Sequence, residues 1–222
     1  VLLKIPQGSL SFWRNRLTAG AVRLIGNDEA SCIFLDPDDM KISLVEMPEM
    51  IAPDQATRHS GVPAEYQIIG IQGIHYTVSD LEKTEAFFRD VLGMKVTNHI
   101  AHPTPFPDEE SRLIQSTSLK PTRLGKGAID HIAYSVPERK VLDLILDKAK
   151  DSQITVEKII DRGYFQSLYL REPSGLRIEI ATEHPGFTLD EPLEKLGESF
   201  ALPDFLETKR KAIEDTILNR KK

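Results

Sequence analysis

The sequence predicts an α+β protein made of repeated βαβββ units, and three observations predict it. Short apolar strands that turn straight into helices recur along the chain. Alternating hairpins reversed by an acid-proline turn recur behind them. The two kinds of segment keep the same order. Such units imply curved sheets of mixed and antiparallel strands, followed here by a C-terminal helical tail.

The first kind of segment appears three times. Leu2-Leu3-Lys4-Ile5-Pro6 precedes Gly8-Ser9-Leu10-Ser11-Phe12-Trp13, Ile74-His75-Tyr76-Thr77-Val78 precedes the stretch from Leu81 to Phe88, and Ile132-Ala133-Tyr134-Ser135-Val136 precedes the stretch from Glu138 to Leu144. In the middle copy Leu81, Thr84, Phe87, Phe88, Val91 and Leu92 recur at helical spacing, and Gly93 follows as a stop. The second kind appears as Leu35-Asp36-Pro37-Asp38-Asp39-Met40 running into Lys41–Glu46, and again as Arg171-Glu172-Pro173-Ser174-Gly175-Leu176 running into Arg177–Thr182. These segments define units over about 1–50, 70–122 and 128–183. They group as an incomplete N-terminal unit (1–50), a linker (51–69), a C-terminal module of two units (70–186) and a tail (187–222) with a helix from Asp204 to Leu218.

Aligning Ile5, Val78 and Val136 makes Gly73 the equivalent of His131, and puts the first unit's equivalent one residue before Val1. The chain is therefore expected to begin inside a strand, with about 70 or more residues preceding it in a full set of repeats.

Composition narrows the function classes. The chain has 222 residues, 40% hydrophobic and 28% charged, which suits a globular protein with a core. A net charge of −6 argues against nucleic acid, and the basic run Arg220–Lys222 reads as a solvated end. No apolar run reaches the length of a membrane span. Cys32 is the single cysteine, placed in an apolar strand as a small core residue, so a reducing cytoplasm is the natural setting.

The chemistry concentrates in the third unit. His131 shares a strand face with Ala133 and Ser135, and Glu179 shares one with Arg177 and Ala181. An imidazole and a carboxylate on rigid strands make two-thirds of a 2-His-1-carboxylate metal site. Glu179 aligns with Ser43 of the first unit, so the hairpin does not itself require an acid there. The alternative is an exposed strand glutamate and a strand histidine satisfied by its neighbours.

Other candidates carry weaker signals. His99 and His102 lie in a proline-rich loop, His59 in the linker, and His184 at the start of the tail. His75 shares a face with Gly73, and Gly125-Lys126-Gly127 has too little of a phosphate-loop pattern to be more than a turn.

The segments 129–137, 161–175 and 177–187, together with 190–193, 196–197 and 6–13, resemble the vicinal oxygen chelate superfamily, which includes glyoxalase I and extradiol dioxygenases. The likeness spans nearly the whole chain and is greatest to glyoxalase-like ring-cleaving dioxygenases of hydroquinones. It implies the vicinal oxygen chelate fold and Fe(II), or Mn(II), bound by His131 and Glu179. It places Arg162 and Tyr169 beside the metal as catalytic groups that stabilise a phenolate or reduced oxygen. For Arg162 a surface salt bridge, and for Tyr169 simple core packing, stay open. In those relatives the remaining histidine comes from the first strand of a preceding unit. This sequence also departs from the pattern at Gln72 and Asp130, where related chains carry histidine.

The resemblance implies a metal-dependent ring-cleaving dioxygenase of a hydroquinone or catechol, with dioxygen as co-substrate and two of three metal ligands in this chain. A glyoxalase-type isomerase or lyase using Ni(II) or Zn(II), and a metal-free aromatic-binding protein, are the competing readings. An unpaired unit would expose its apolar concave face, which leaves a homodimer open.

Overall fold

The computed structural model describes residues 1–26, 31–104, 109–118 and 124–219. The chain divides into two compact units, Val1–Asp130 and His131–Lys222. The basic run Arg220–Lys222 lies outside the described residues.

The first compact unit holds the first two repeats. Strand β1 (Leu2–Pro6) leads into helix α1 (Leu10–Ala19), and β2 (Cys32–Leu35) and β3 (Lys41–Met47) form the hairpin. Leu24 adds an isolated antiparallel bridge to Phe34, with Ile25 N donating to Ile33 O at 2.8 Å. This bridge is the reduced second strand of a βαβββ unit. The second repeat contributes β4 (Gly70–Val78), α2 (Leu81–Ala86), β5 (Lys95–Thr97), β6 (Ile100–His102) and β7 (Glu110–Gln115).

These strands form one seven-stranded sheet in the order β2-β3-β1-β4-β7-β6-β5. Within each repeat the first strand lies parallel to the last, β1 on β3 and β4 on β7. Between repeats, β1 runs antiparallel to β4. The second repeat therefore shares its sheet with the first, a different grouping from the 70–186 module read from the sequence. Repetition reveals the units, whereas edge-to-edge pairing depends on backbone that carries no sequence signature.

Local chemistry explains the elements. Ile5, Cys32 and Leu44 form a buried cluster against which Trp13, Leu10, Leu17 and Phe34 pack, so Cys32 is the small core residue expected. Burial raises the pKa of its thiol. Asp80 caps α2 by accepting from Lys83 N at 3.1 Å. The helix then widens into a π-turn over Phe87–Val91, where Leu92 N bonds Phe87 O at 3.2 Å, and Gly93 ends it at φ +72°. Thr84, Phe87, Phe88 and Val91 are its buried face. In the linker, buried Gln67 donates to Thr57 O (2.7 Å) and Val62 O (2.9 Å) and accepts from Thr57 N (2.9 Å).

The second compact unit is the third repeat with the tail. Strand β8 (His131–Val136), α3 (Arg139–Asp151), β9 (Thr155–Asp161), β10 (Gln166–Arg171) and β11 (Arg177–Thr182) give a sheet in the order β8-β11-β10-β9. One face is apolar: Ile178, Ile180, Leu168 and Leu170 are buried with Leu142, Ile145 and Ala149 of α3. The tail forms α4 (Asp204–Glu207) and α5 (Arg210–Asn219) rather than one helix. Lys209 N turns back to Leu206 O at 2.8 Å and separates them. Among the described residues no helix is long and apolar enough to cross a membrane.

The two acid-proline turns are built alike. Asp36 accepts from Met40 N at 2.8 Å, and Glu172 Oε1 accepts from Leu176 N at 2.9 Å. Asp39 and Gly175 occupy equivalent positions with φ +65° and +91°. Glu172 is 2% exposed. Glu172→Ala is expected to cost about 1–3 kcal/mol by stranding the half-buried Leu176 N–H, read as a lower urea midpoint with unchanged slope. An unchanged midpoint would remove the acid's role in the turn.

Candidate metal centre

His131 opens β8, and Glu179 lies inside β11. The parallel register sets His131 beside Arg177 and Ala133 beside Glu179, so the two side chains emerge on the same face one step apart. His131 Nε2 lies 2.7 Å from Glu179 Oε2. Glu179 is 5% exposed, so it is not a solvent-facing strand acid. His131 keeps about a third of its side chain exposed (32%), leaving an open side at the pair.

Tyr169 stands directly opposite Glu179 in the β10–β11 ladder and is 5% exposed. Its ring meets the His131 ring edge-on at 5.5 Å between centroids. Arg162, just beyond the end of β9, donates from Nη2 to the Tyr169 hydroxyl at 3.3 Å. Among the described residues Arg162 has no carboxylate partner. The structure thus brings His131, Glu179, Tyr169 and Arg162 together on the face of the sheet opposite α3.

The turn that carries Arg162 is tightly held. Asp161 Oδ1 accepts from Gly163 N at 2.8 Å, which lowers the Asp161 pKa, and Arg162 N bonds Phe165 O at 2.9 Å. A Cβ on Gly163 would lie 2.6 Å from Pro203 Cβ, so the tail packs directly on this turn. Tyr164 stacks on Phe187 at 5.1 Å. Its hydrogen bond with Asp190, then burial, pushes its pKa up to about 12.

Sequence reading did not single out the charges around this group. β9 skips a residue against β10: Lys158 pairs with Tyr169 while Val156 pairs with Leu170. Glu157 sits in that bulge and bonds Arg171 Nε at 2.7 Å and Arg177 Nε at 2.6 Å. Lys158 places its ammonium 4.9 Å from the Tyr169 ring centroid. Strict alternation would send neighbouring residues to opposite faces, and the bulge turns both to the same one. Thr155–Asp161 contains no glycine or proline that would announce it.

The other histidines lie elsewhere. His99 pairs with Glu85 at 2.6 Å, His102 approaches Glu109 O at 3.2 Å, and His184 meets Pro137 O at 2.9 Å. His59 is in the linker, and His75 on β4 stands beside Arg112. Partial burial, then Arg112, lowers the His75 pKa. Gly125-Lys126-Gly127 is a turn, with Lys126 Nζ 3.6 Å from Asp38.

Among the described residues the second repeat offers no counterpart. Gly73 holds the position of His131, and a Cβ there would collide with Glu110 O. The register puts Arg112 at the position of Glu179. In the first repeat Leu2 pairs with Ser43 as Ala133 pairs with Glu179. Among the described residues no group of three or more His, Cys, Asp or Glu side chains is placed to hold a metal.

Comparison with known proteins gives a consistent picture. The family model for the Glyoxalase/Bleomycin resistance protein/Dioxygenase superfamily matches residues 70–180. The chain is 36% identical over 226 residues to the chlorohydroquinone/hydroquinone 1,2-dioxygenase of Sphingobium indicum, covering 91% of this chain and 67% of that protein. It is 29% identical over 235 residues to the Bacillus subtilis (strain 168) protein named "Putative ring-cleaving dioxygenase MhqE", covering 98% of this chain and 73% of that one. A crystal structure described as that of a "putative dioxygenase" from Bacillus subtilis superposes with a TM-score of 0.80 at 24% identity. It covers 96% of this chain and 71% of that one, and supports the fold.

Glu157 gives a pH test of the charged face. The Arg177 and then Arg171 hydrogen bonds hold its pKa below the ordinary 4.5. Its contribution is therefore present above the unfolded-state pKa and is lost as pH falls through the folded one. Glu157→Gln should destabilise by about 1–3 kcal/mol at pH 7, with the gap to the parent closing below about pH 4. Equal offsets at pH 7 and pH 3 in urea melts would contradict this.

Proposed function

Because the chain belongs to the glyoxalase/bleomycin resistance protein/dioxygenase superfamily, we propose that it is a metal-dependent, extradiol-type ring-cleaving dioxygenase of a hydroquinone or catechol. The observation that carries this reading is the 2.7 Å approach of His131 Nε2 and Glu179 Oε2 on one sheet face, with the Tyr169 hydroxyl and Arg162 beside them.

The donor set suits a divalent ion. His131 Nε2 and Glu179 Oε2, 2.7 Å apart on one face, are near enough for a single ion to be held by both. Imidazole with carboxylate is the donor combination of non-haem Fe(II) oxygenase sites. We assign His131 and Glu179 as the residues that would hold Fe(II), with Mn(II) as the nearest substitute. The chemistry such an ion supplies is acidification of a bound phenol and contact between diol and dioxygen.

The chain's own groups do the rest. As donors to such an ion, His131 would present a neutral imidazole and Glu179 a carboxylate. Arg162 donates to the Tyr169 oxygen, which leaves the Tyr169 proton free to point elsewhere. Tyr169 then donates to an anionic oxygen of the substrate at the centre, and Arg162 reinforces it as negative charge develops. Burial of Tyr169 and Glu179 keeps water away from their bonds and strengthens them.

Anaerobic loading with Fe(II), followed by hydroquinone and air, should give oxygen uptake and a coloured ring-opened product. Co(II) titration should give visible absorption bands that His131→Ala and Glu179→Gln abolish. Tyr169→Phe should retain those bands and lower kcat about 100-fold. Turnover without oxygen consumption would favour the glyoxalase-type alternative. Full Co(II) binding by the His131→Ala variant would remove the assigned centre.

A further inference from the structure

The polar face of the β8–β11 sheet carries more positive than negative charge, and the excess is localised. Glu157 is engaged by Arg171 and Arg177, and Glu179 by His131. Two cations remain, Lys158 and Arg162, and both converge on Tyr169. Lys158 lies over its ring at 4.9 Å, and Arg162 donates to its hydroxyl at 3.3 Å. Neither forms an ion pair with a carboxylate among the described residues.

This is an unusual balance for a chain whose net charge is −6. The β9 bulge produces it, since Lys158 would otherwise emerge on the face opposite Glu157. Bulges of this kind re-aim side chains beside functional sites. An uncompensated positive locus around a buried hydroxyl, next to an open imidazole–carboxylate pair, is the electrostatic form of an anion subsite.

We propose that Lys158, with Arg162, forms a subsite beside Tyr169 for a carboxylate carried on the substrate ring, so that the substrate class is an aromatic diol acid. The inference rests on the reading of His131 and Glu179 as the diol-binding centre. The 5.5 Å between the His131 and Tyr169 ring centroids places the subsite within one substrate ring of that centre. A diol at His131 and Glu179 would direct a ring substituent toward Tyr169. There a carboxylate meets both cations. A neutral substituent gains no such charge pairing. Lys158 supplies charge rather than a fixed hydrogen-bond fork, so an arginine can replace it and a neutral amide cannot.

The test is calorimetric titration of the full chain with 2,5-dihydroxybenzoate and with its neutral analogue 2,5-dihydroxybenzamide, without metal or oxygen. At low salt the acid should bind at least about tenfold more tightly than the amide, and added NaCl should shrink that ratio. Lys158→Gln should reduce the ratio to under about threefold, and Lys158→Arg should preserve it. Equal affinity of the parent for acid and amide, no measurable binding of either, or a full preference retained by Lys158→Gln would overturn the subsite. Acid preference without oxygen uptake by the Fe(II)-loaded chain would remove the proposed reaction and leave the subsite standing. Oxygen uptake without acid preference would do the reverse.

Discussion

In every repeat of this chain the first strand lies parallel to the last, and the rest of the structure depends on that ladder. A helix must cross over between two parallel strands, which fixes the apolar face. The register then decides which residues meet on the other face. In the third repeat, β8 against β11 puts His131 one step from Glu179. A slip of one residue would send one of the two to the α3 side, among Ile178, Ile180 and Leu142. A buried charge there would have no partner. The apolar packing of α3 and the convergence of imidazole and carboxylate are thus two outcomes of one register.

The same ladder explains why the repeats can share a fold and differ in chemistry. The position held by Glu179 is held by Ser43 in the first repeat and Arg112 in the second. In the same repeat as Arg112, Gly73 holds the position of the histidine, and the carbonyl of Glu110 lies too close for any Cβ. Backbone pairing carries the scaffold in all three. Among the described residues, it is the third that adds an imidazole and a carboxylate there, with Tyr169, Arg162 and Lys158 around the same position. Divergence at these points costs the fold little because the side chains in question leave the helix-covered core untouched.

Much of this was legible in the sequence, for physical reasons that can be named. The strand-to-helix turns announce themselves by a change of apolar period, as at Val78 and Leu81. The hairpins announce themselves because an acid beside proline can accept the turn's own N–H groups, as Asp36 and Glu172 do. Periodicity also put His131 and Glu179 on matching faces. The edge that joins β1 to β4 was not legible, because backbone groups pair there across two repeats whose side chains carry no mark of it. The bulge at Glu157 was hidden for a related reason. Its effect on Lys158 appears only when β9 is laid against β10.

A bulge and a ladder together make the candidate site asymmetric. On the β8 side, His131 and Glu179 bond each other and keep one edge open. On the β9 side, Tyr169 is buried beneath two cations that no carboxylate among the described residues neutralises. A ligand lying across the sheet would therefore meet donors of electron pairs at one end and positive charge at the other. That polarity is set by Glu157. By taking both Arg171 and Arg177, it removes two cations from the surface beside His131 and leaves the remaining positive charge at Tyr169. The residue that looks furthest from the chemistry thus shapes its field, and it can do so only because β9 yields one residue to the bulge.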